Sequence, residues 1–425
     1  MAFQYNQFQI ASTTEKLPAI RRDIEIIPVD QGSQRFLYFH DSMGYATPNF
    51  ALKHAVGGLL YFLDGNYSAK EAARSLQSSG SDVGEDQLLD FVRSLDNNRL
   101  LHSRFFQAYV EQTESQFERS SVRPAVCVGN SYPDDPAAIR QGFDPAFEKA
   151  LTEKADVPED VRALYAPHID LRLGLDTYAK AFNSIRDLRP KRVVILATSH
   201  YSGLYHPLYE NKPFILSAKD FETPFGVIKN DRDAITRLSK QADLEQIGLS
   251  LNDRAHRTEH SIELHLVLLQ YLWGDHPFEI VPILVGSLDE TLHFDQSEIG
   301  KRAQRFADVL NAEFGDDPDT LFLISGDQAH IGKKFGDREP AADFFDEIRE
   351  FDDVFLSAAA DSDPSRVLDQ MKTNMDAYRI CGFPPLYTFL LMGLDVEGVV
   401  AGYDIWDETE RESGVSFGAI VFGEA

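Results

Sequence analysis

The stretch Arg192–Gly203, RVVILATSHYSG, decides the reading of this chain. Residues 193–197 are an unbroken apolar run rich in β-branched side chains, the pattern of a strand buried on both faces in the middle of a parallel sheet. The run stops in Thr198-Ser199-His200. Open α/β sheets bind ligands in the crevice beyond the carboxyl ends of their strands, so a histidine just past such a strand is aimed at a site. The competing role is local, with Ser199 capping a following helix and His200 packing beside it.

Outward from this strand, strands and helices alternate. Residues 164–168 form a short strand ending at His168, residues 214–216 and 280–285 two more, and residues 321–325 another that runs into Gly326-Asp327. Residues 173–183 and 262–272 carry helical patterns, and residues 415–421 alternate like a final antiparallel edge strand. The expectation is an α/β domain with a central mixed, largely parallel sheet flanked by helices. A helix is also expected over 146–154, capped by Asp144 with Pro145 at its first position.

Ahead of it lies a smaller unit. Residues 1–20 are polar and read as a disordered tail. Residues 35–40 read as a strand, 51–63 as a helix and 86–97 as another; Ser68 with Glu71 forms a capping box that opens the helix between them. Residues 99–102 read as a wing strand, so residues 21–105 outline a small winged-helix-like α+β domain. Residues 106–122 are polar without a buried pattern and read as a linker, leaving 123–425 as the α/β domain.

At 425 residues the chain is too long for one core. A formal net charge of −27 excludes a basic nucleic-acid reader and a protein drawn to anionic membranes. Acidic side chains also slightly outnumber basic ones over residues 1–106, against a DNA-binding winged helix. Cys127 and Cys381 are the only cysteines, so no disulfide framework is expected. The N-terminus lacks the basic start and apolar core of a signal peptide, and the expected location is cytoplasmic.

The chemistry-bearing residues gather at strand ends: His168, His200, and the run Ser325-Gly326-Asp327-Gln328-Ala329-His330. Glu259-His260 and Glu263 open a helix, and Cys381 precedes Gly382 and a Pro-Pro turn. Neutral imidazole and thiolate suit zinc, copper and iron, and carboxylates orient ligated imidazoles. The residues are far apart in sequence, and spacing alone leaves packing roles open. His256-Arg257-Thr258-Glu259-His260 also matches the H-x-x-E-H zinc-peptidase pattern, which requires a helix.

From Arg123 onward the chain resembles the Memo family. The likeness is carried by RPAV and YPDDP near Arg123 and Pro136, APH ending at His168, SH at Ser199-His200 and ETPFG from Glu222. EHSIE from Glu259, VPILVG from Val281, SGDQAHIG from Ser325, CG at Cys381-Gly382 and SGVSFGAIVF from Ser413 continue it in order. That family is similar to the class III extradiol ring-cleaving dioxygenases. The resemblance implies a metal site of two histidines and a cysteine, carried here by His168, His200 and Cys381, holding an iron or copper ion, with zinc as a further candidate. It implies roles for Asp327 and His330 in orienting ligands or moving protons, with His260 and Glu263 beside them. Cysteine in place of a carboxylate favours copper.

The N-terminal module resembles PqqD-like domains through Phe39-His40-Asp41 and Phe62-Leu63-Asp64-Gly65, which implies peptide binding by strand addition. The combination is similar to the AmmeMemoRadiSam system B group, which implies radical-SAM system partner proteins. Ile169-Asp170-Leu171-Arg172 departs from the family pattern after APH and puts an ion pair near the mouth of the pocket. Two functional classes follow: a metal-dependent oxidoreductase, and a non-catalytic accessory protein that binds a peptide or small ligand.

Overall fold

The run that opens the reading forms the strand Arg192–Thr198, with Val193, Val194, Ile195, Leu196 and Ala197 all fully buried. Val194 and Leu196 enter one hydrophobic core and Val193, Ile195 and Ala197 the other, as period-2 alternation dictates. In the computed structural model, which describes residues 10, 12–153, 157–240 and 243–425, the chain divides into two units between Arg119 and Ser120.

In the larger unit, twelve strands form one mixed sheet among the described residues. Its centre is four parallel neighbours in the order Val161–Ala166, Thr320–Ser325, Arg192–Thr198 and Glu279–Val285. Ser325 sits level with both Ala166 and Ala197, so three adjacent strands end at nearly one height. Ser413–Glu424 pairs antiparallel with Val161–Ala166 and with Val396–Glu408, as the edge pattern of its sequence predicts. Helices cover both faces, including Leu171–Asn183, Glu263–Trp273, Glu298–Phe314 and Phe345–Ala360. The expected mixed α/β sheet is therefore the fold.

One helix differs from expectation. It spans Pro136–Thr152, capped by Asp135, whose carboxylate accepts from the Ala137 and Ala138 amides, and it runs through Pro145. Pro145 lies on the exposed face, where the carbonyl it deprives of a donor can turn to water. Asp144, expected as the cap, instead accepts from the Tyr271 hydroxyl at 2.7 Å. Lys154, the expected last residue, lies outside the described residues.

The smaller unit holds a three-stranded antiparallel sheet, Ile24–Gln31, Gln34–Asp41 and Ala51–Lys53, with helices Ala69–Ser78, Glu85–Asn97 and Arg104–Arg119. The Ser68–Glu71 capping box is formed. The helix expected over 51–63 is a short strand followed by a 3-10 helix, His54–Phe62. Gly57 and Gly58 weaken an α-helix there, and the Leu37 side chain presses on Gly57. The expected wing strand at 99–102 is reduced to a single bridge, Ile20 to Leu101. Residues 12–20 are docked rather than loose, with Leu17 buried and Lys16 bridged to Ser68; the rest of the expected tail, residues 1–9 and 11, lies outside the described residues. Most of the stretch read as a linker is helical. Its buried face carries Phe106, Glu114 and Phe117, and a glutamate at the centre of that face hides the pattern, because the Tyr45 hydroxyl donates to it inside the fold.

One buried ion pair fixes the start of the larger unit. Arg123 and Glu263 are both fully buried and bonded to each other. Arg123 also donates to the carbonyls of His256 and Glu259. Glu263 accepts from the amides of Val126 and Cys127 and from the Tyr132 hydroxyl. Removing one partner of such a pair strands a charge in the core. Arg123→Met should lower unfolding free energy by about 3–5 kcal/mol in chemical denaturation; an unchanged midpoint would show that the pair is not holding the fold.

Candidate metal centre

Each of the three neighbouring strands places a chemically active side chain two residues past its last member. Ala166 leads to His168, Thr198 to His200 and Ser325 to Asp327. Because the strands are parallel, adjacent and level, these side chains meet above the carboxyl edge of the sheet.

Two further segments close on them. The turn before the helix Glu263–Trp273 supplies Glu259 and His260, and the turn before Phe383–Leu390 supplies Cys381. The Cys381 turn lies directly on the Asp327 loop: a Cβ on Gly326 would fall 2.1 Å from Gly382 Cα, and Gly382 N–H donates to the Asp327 carbonyl at 2.8 Å. Only glycine allows backbones to approach so closely. Thr198 Oγ1 donates to the Cys381 carbonyl at 2.7 Å, tying the same turn to the central strand.

Ligand-capable atoms gather in two groups that share His168, each with its atoms within 4.8 Å of one another: His168, His200 and His260, and His168, Asp327 and Cys381. Ring centroids are 4.8 Å apart for His168–His200, 5.2 Å for His168–His260 and 4.7 Å for the stacked His200–His260 pair. Cys381 Sγ lies 3.2 Å from His168 Nε2 and accepts from the Asp327 amide at 3.3 Å. The His168 side chain is 2% exposed and Asp327 4%, against 26% for His200 and 32% for His260. The first two form the floor and the last two the mouth.

The hydrogen bonds fix which nitrogen each imidazole presents. Ser325 Oγ donates to the Ser261 carbonyl at 2.7 Å, so it accepts from His168 Nδ1 at 3.1 Å and leaves Nε2 with its lone pair. His200 Nδ1 donates to Glu259 Oε1 at 2.9 Å, while its amide donates to Oε2 at 2.8 Å. His260 Nδ1 faces Glu259 Oε1 at 3.3 Å. All three rings thus turn Nδ1 to the protein scaffold and Nε2 into the pocket, where His168 Nε2 meets Cys381 Sγ, the arrangement by which proteins preset imidazole ligands.

The electrostatics agree with that division. Burial raises the Glu259 carboxyl, but the charge and hydrogen bonds of His200 outweigh it and hold it at about 2. Burial opposes a proton on His200, yet Glu259 raises this imidazole well above its usual range. Burial, with His200 and His260 nearby, drives His168 well below its own. Burial raises Asp327 to about 7 even though the His168 and Ile169 amides bond its Oδ1, so it can carry a proton near neutrality. Burial also pushes the Cys381 thiol up.

The sequence-predicted residues do not all converge. His168, His200, Cys381, Asp327 and His260 do. His260, expected beside the ligands, stands among the imidazoles on equal terms. His330 lies outside both groups: its Nδ1 donates to the carbonyls of Gln328 and Arg379, and its ring packs on Phe335. Glu263, expected with the acid–base residues, is wholly taken up by Arg123, Tyr132 and two amides. The carboxylate that serves the histidines is Glu259, one turn earlier, which sequence reasoning quoted without assigning. Its one signal was adjacency to His260; both glutamates are buried. The H-x-x-E-H match is not a helix: residues 254–256 form a 3-10 turn, and His256 Nε2 donates to the Ile215 carbonyl. Asp170 and Arg172 form the expected ion pair at 2.7 Å, and Asp170 also caps the helix Leu171–Asn183.

A sheet whose strand ends gather imidazoles, a thiol and carboxylates defines a class, and comparison gives the family: residues 123–421 match the Memo-like protein family, and the chain belongs to it. It is 25% identical over 386 residues to a MEMO1 family protein of Aquifex aeolicus, covering 90% of this chain and 94% of that one. That alignment is longer than the family match, so it takes in part of the N-terminal unit as well. A MEMO1 family protein of Thermus thermophilus is 26% identical over 340 residues (80% of this chain, 94% of that one), and the Protein memo-1 homolog of Caenorhabditis elegans is 29% identical over 259 (60% and 67%).

Glu259→Gln weakens the acceptor that orients His200. Affinity for an added divalent transition metal should fall about 10–100-fold in a competition titration with a chromophoric chelator. A proton on His200 competes with a metal for Nε2, so wild-type affinity should also rise with pH. Equal affinities of the two proteins would remove Glu259 from the site.

Proposed function

We propose that this Memo-like protein holds a single metal ion, redox-active iron or copper with redox-inert zinc as the third candidate, in the pocket of His168, His200, His260, Cys381 and Asp327. The observation that carries the reading is the preset tautomer of three convergent imidazoles beside a thiol that accepts a backbone N–H. The donor set fits a first-row transition metal, and the thiol favours copper. Any of the three would supply Lewis acidity, and iron or copper would add one-electron chemistry toward a bound substrate and dioxygen.

The chain's own groups then have distinct tasks. Glu259 keeps the His200 and His260 rings turned inward. Asp327 takes or gives a proton at Oδ2, which faces His168 Nε2 at 3.7 Å. His330 keeps its Nδ1 on the Gln328 and Arg379 carbonyls, at the edge of the pocket. Burial holds it near 4, so its ring is neutral at physiological pH. The mouth, beside the stacked rings of His200 and His260, is where a small molecule or a side chain carried on a partner would enter. We place the protein in the cytoplasm, consistent with two free cysteines. Among the described residues no helix is long and apolar enough to cross a membrane.

A second reading has its own observation. In the smaller unit the strand Ile24–Gln31 pairs only with Gln34–Asp41 among the described residues, leaving a strand edge to which an extended peptide can add. On this reading the chain is an accessory protein that captures a peptide, or a radical-SAM system partner, and presents it to the metal pocket.

Elemental analysis of protein purified anaerobically separates the two. Near-stoichiometric iron or copper, lost in His168→Ala and His200→Ala, with metal-dependent oxygen uptake toward catechols or reductants, is the expected result. Metal binding without uptake under any condition would favour the accessory role, and no metal even after reconstitution would overturn the proposal.

A further inference from the structure

Behind the metal pocket, on the face of the sheet covered by Phe345–Ala360, lie two buried acceptors with no donor among the described residues: Asp352 Oδ1 and Gln328 Oε1. Neither belongs to the site above. Leaving a buried polar atom unpaired is costly, so each calls for an explanation.

Their surroundings place them together. Asp352 Oδ2 accepts from the Tyr403 hydroxyl at 2.8 Å, and the Ser416 hydroxyl is its other partner. Tyr403 stands directly across the strand pair from Gly418, two residues along from Ser416 on the same face. Gln328 Oε1 lies over that glycine, 3.3 Å from where a Cβ would sit, beside Leu356, which is one helical turn from Asp352. The Gln328 amide donates to the Ser416 carbonyl at 2.9 Å. From there Gln328 reaches toward the pocket: its Nε2 donates to the Tyr165 hydroxyl at 2.6 Å. Tyr165 packs against Gly382, where a Cβ would fall 2.2 Å from its oxygen, one residue from Cys381.

We propose that Asp352 is a positioning residue for the metal pocket that acts through Gln328: as a neutral acid it donates its Oδ1–H, directly or through one buried water, to Gln328 Oε1. The single proton satisfies both orphaned acceptors and commits Gln328 Nε2 to Tyr165. Loss of that proton to solvent forces the amide to turn over, so that Nε2 faces the Asp352 carboxylate and Oε1 accepts from Tyr165. The direction of the Tyr165 hydroxyl, which abuts the Cys381 turn, thereby follows the charge on Asp352.

Burial raises this carboxyl to about 7, against the pull of Ser416 and Tyr403, so the change falls near neutrality. The titratable and charged groups around it are Tyr403 from one strand, Tyr165 from another, Tyr378 ahead of Cys381, and Arg349 on its own helix. A surface cavity of about 440 Å³ lined by Arg349, Ser357 and Tyr403 brings solvent to the outer end of the chain of groups. Only the last link, to the metal, rests on the function proposed above.

The test titrates the full chain, first without metal. Infrared difference spectra, wild type minus Asp352→Asn, should show a carboxylic-acid C=O band that disappears as pH rises through about 7; Asp327, raised to the same range, contributes to both proteins and cancels. The Gln328 side-chain amide resonance, assigned with Gln328→Glu, should shift with the same midpoint and stay fixed in Asp352→Asn. Tyr403→Phe removes a donor to the anion and should move the infrared midpoint upward, which keeps the test decisive if the Asn variant fails to fold. No acid band in that difference, or a Gln328 resonance that titrates identically in Asp352→Asn, would overturn the proposal. With cobalt(II) added, the visible ligand-field spectrum should follow the same midpoint in wild type alone. A bound cobalt spectrum blind to that midpoint would refute the link to the pocket. Failure to bind cobalt at all would count against the metal reading and leave the Asp352–Gln328 pair standing on the metal-free titration.

Discussion

A single buried guanidinium, Arg123, holds the candidate site in register. It donates to the Glu259 carbonyl and pairs with Glu263, while Glu263 gathers the Val126 and Cys127 amides. The two glutamates of one short turn are thereby pulled in opposite directions. Glu263 is anchored into the body of the domain, and Glu259 is left to point at His200 and His260. Without that anchor the turn would have no fixed height relative to the strand ends, and the rings of His200 and His260 would lose their common acceptor.

The second constraint is the sheet itself. Three parallel strands ending level present His168, His200 and Asp327 at strand-to-strand spacing, so the pocket needs little from loops beyond Glu259, His260 and Cys381. Its floor is rigid because its supports are backbone atoms: the Asp327 carboxylate is held by the His168 and Ile169 amides, and the Cys381 turn by the Asp327 carbonyl and Thr198. A preset set of donors costs little reorganisation when a ligand arrives, which is the physical basis for reading it as a metal centre rather than as packed core.

Much of this was legible in the sequence. The 193–197 run could only be a central strand, and the histidines after residues 166 and 198 could be placed from strand ends alone. The resemblance supplied Cys381, which no local pattern could bring to them. What stayed hidden was decided by tertiary contacts. Nothing local says that Glu263 rather than Glu259 faces Arg123, 140 residues away in sequence. Pro145 read as a helix start because proline usually is one, yet it lies on an exposed face where a helix tolerates it. Glu114 disguised a buried helix as a linker, because its partner Tyr45 lies in a distant turn. His330 read as a pocket histidine, but carbonyls from two segments claim its Nδ1.

The measurement that bears most directly on the account is X-ray absorption at the metal edge of the anaerobically purified chain, wild type beside Cys381→Ser. The account predicts a sphere of imidazole nitrogens with one sulfur scatterer, the sulfur vanishing in the variant while the imidazole pattern remains. A metal with no imidazole scattering, or a sphere identical in the two proteins, would contradict a centre built from these strand ends and this cysteine.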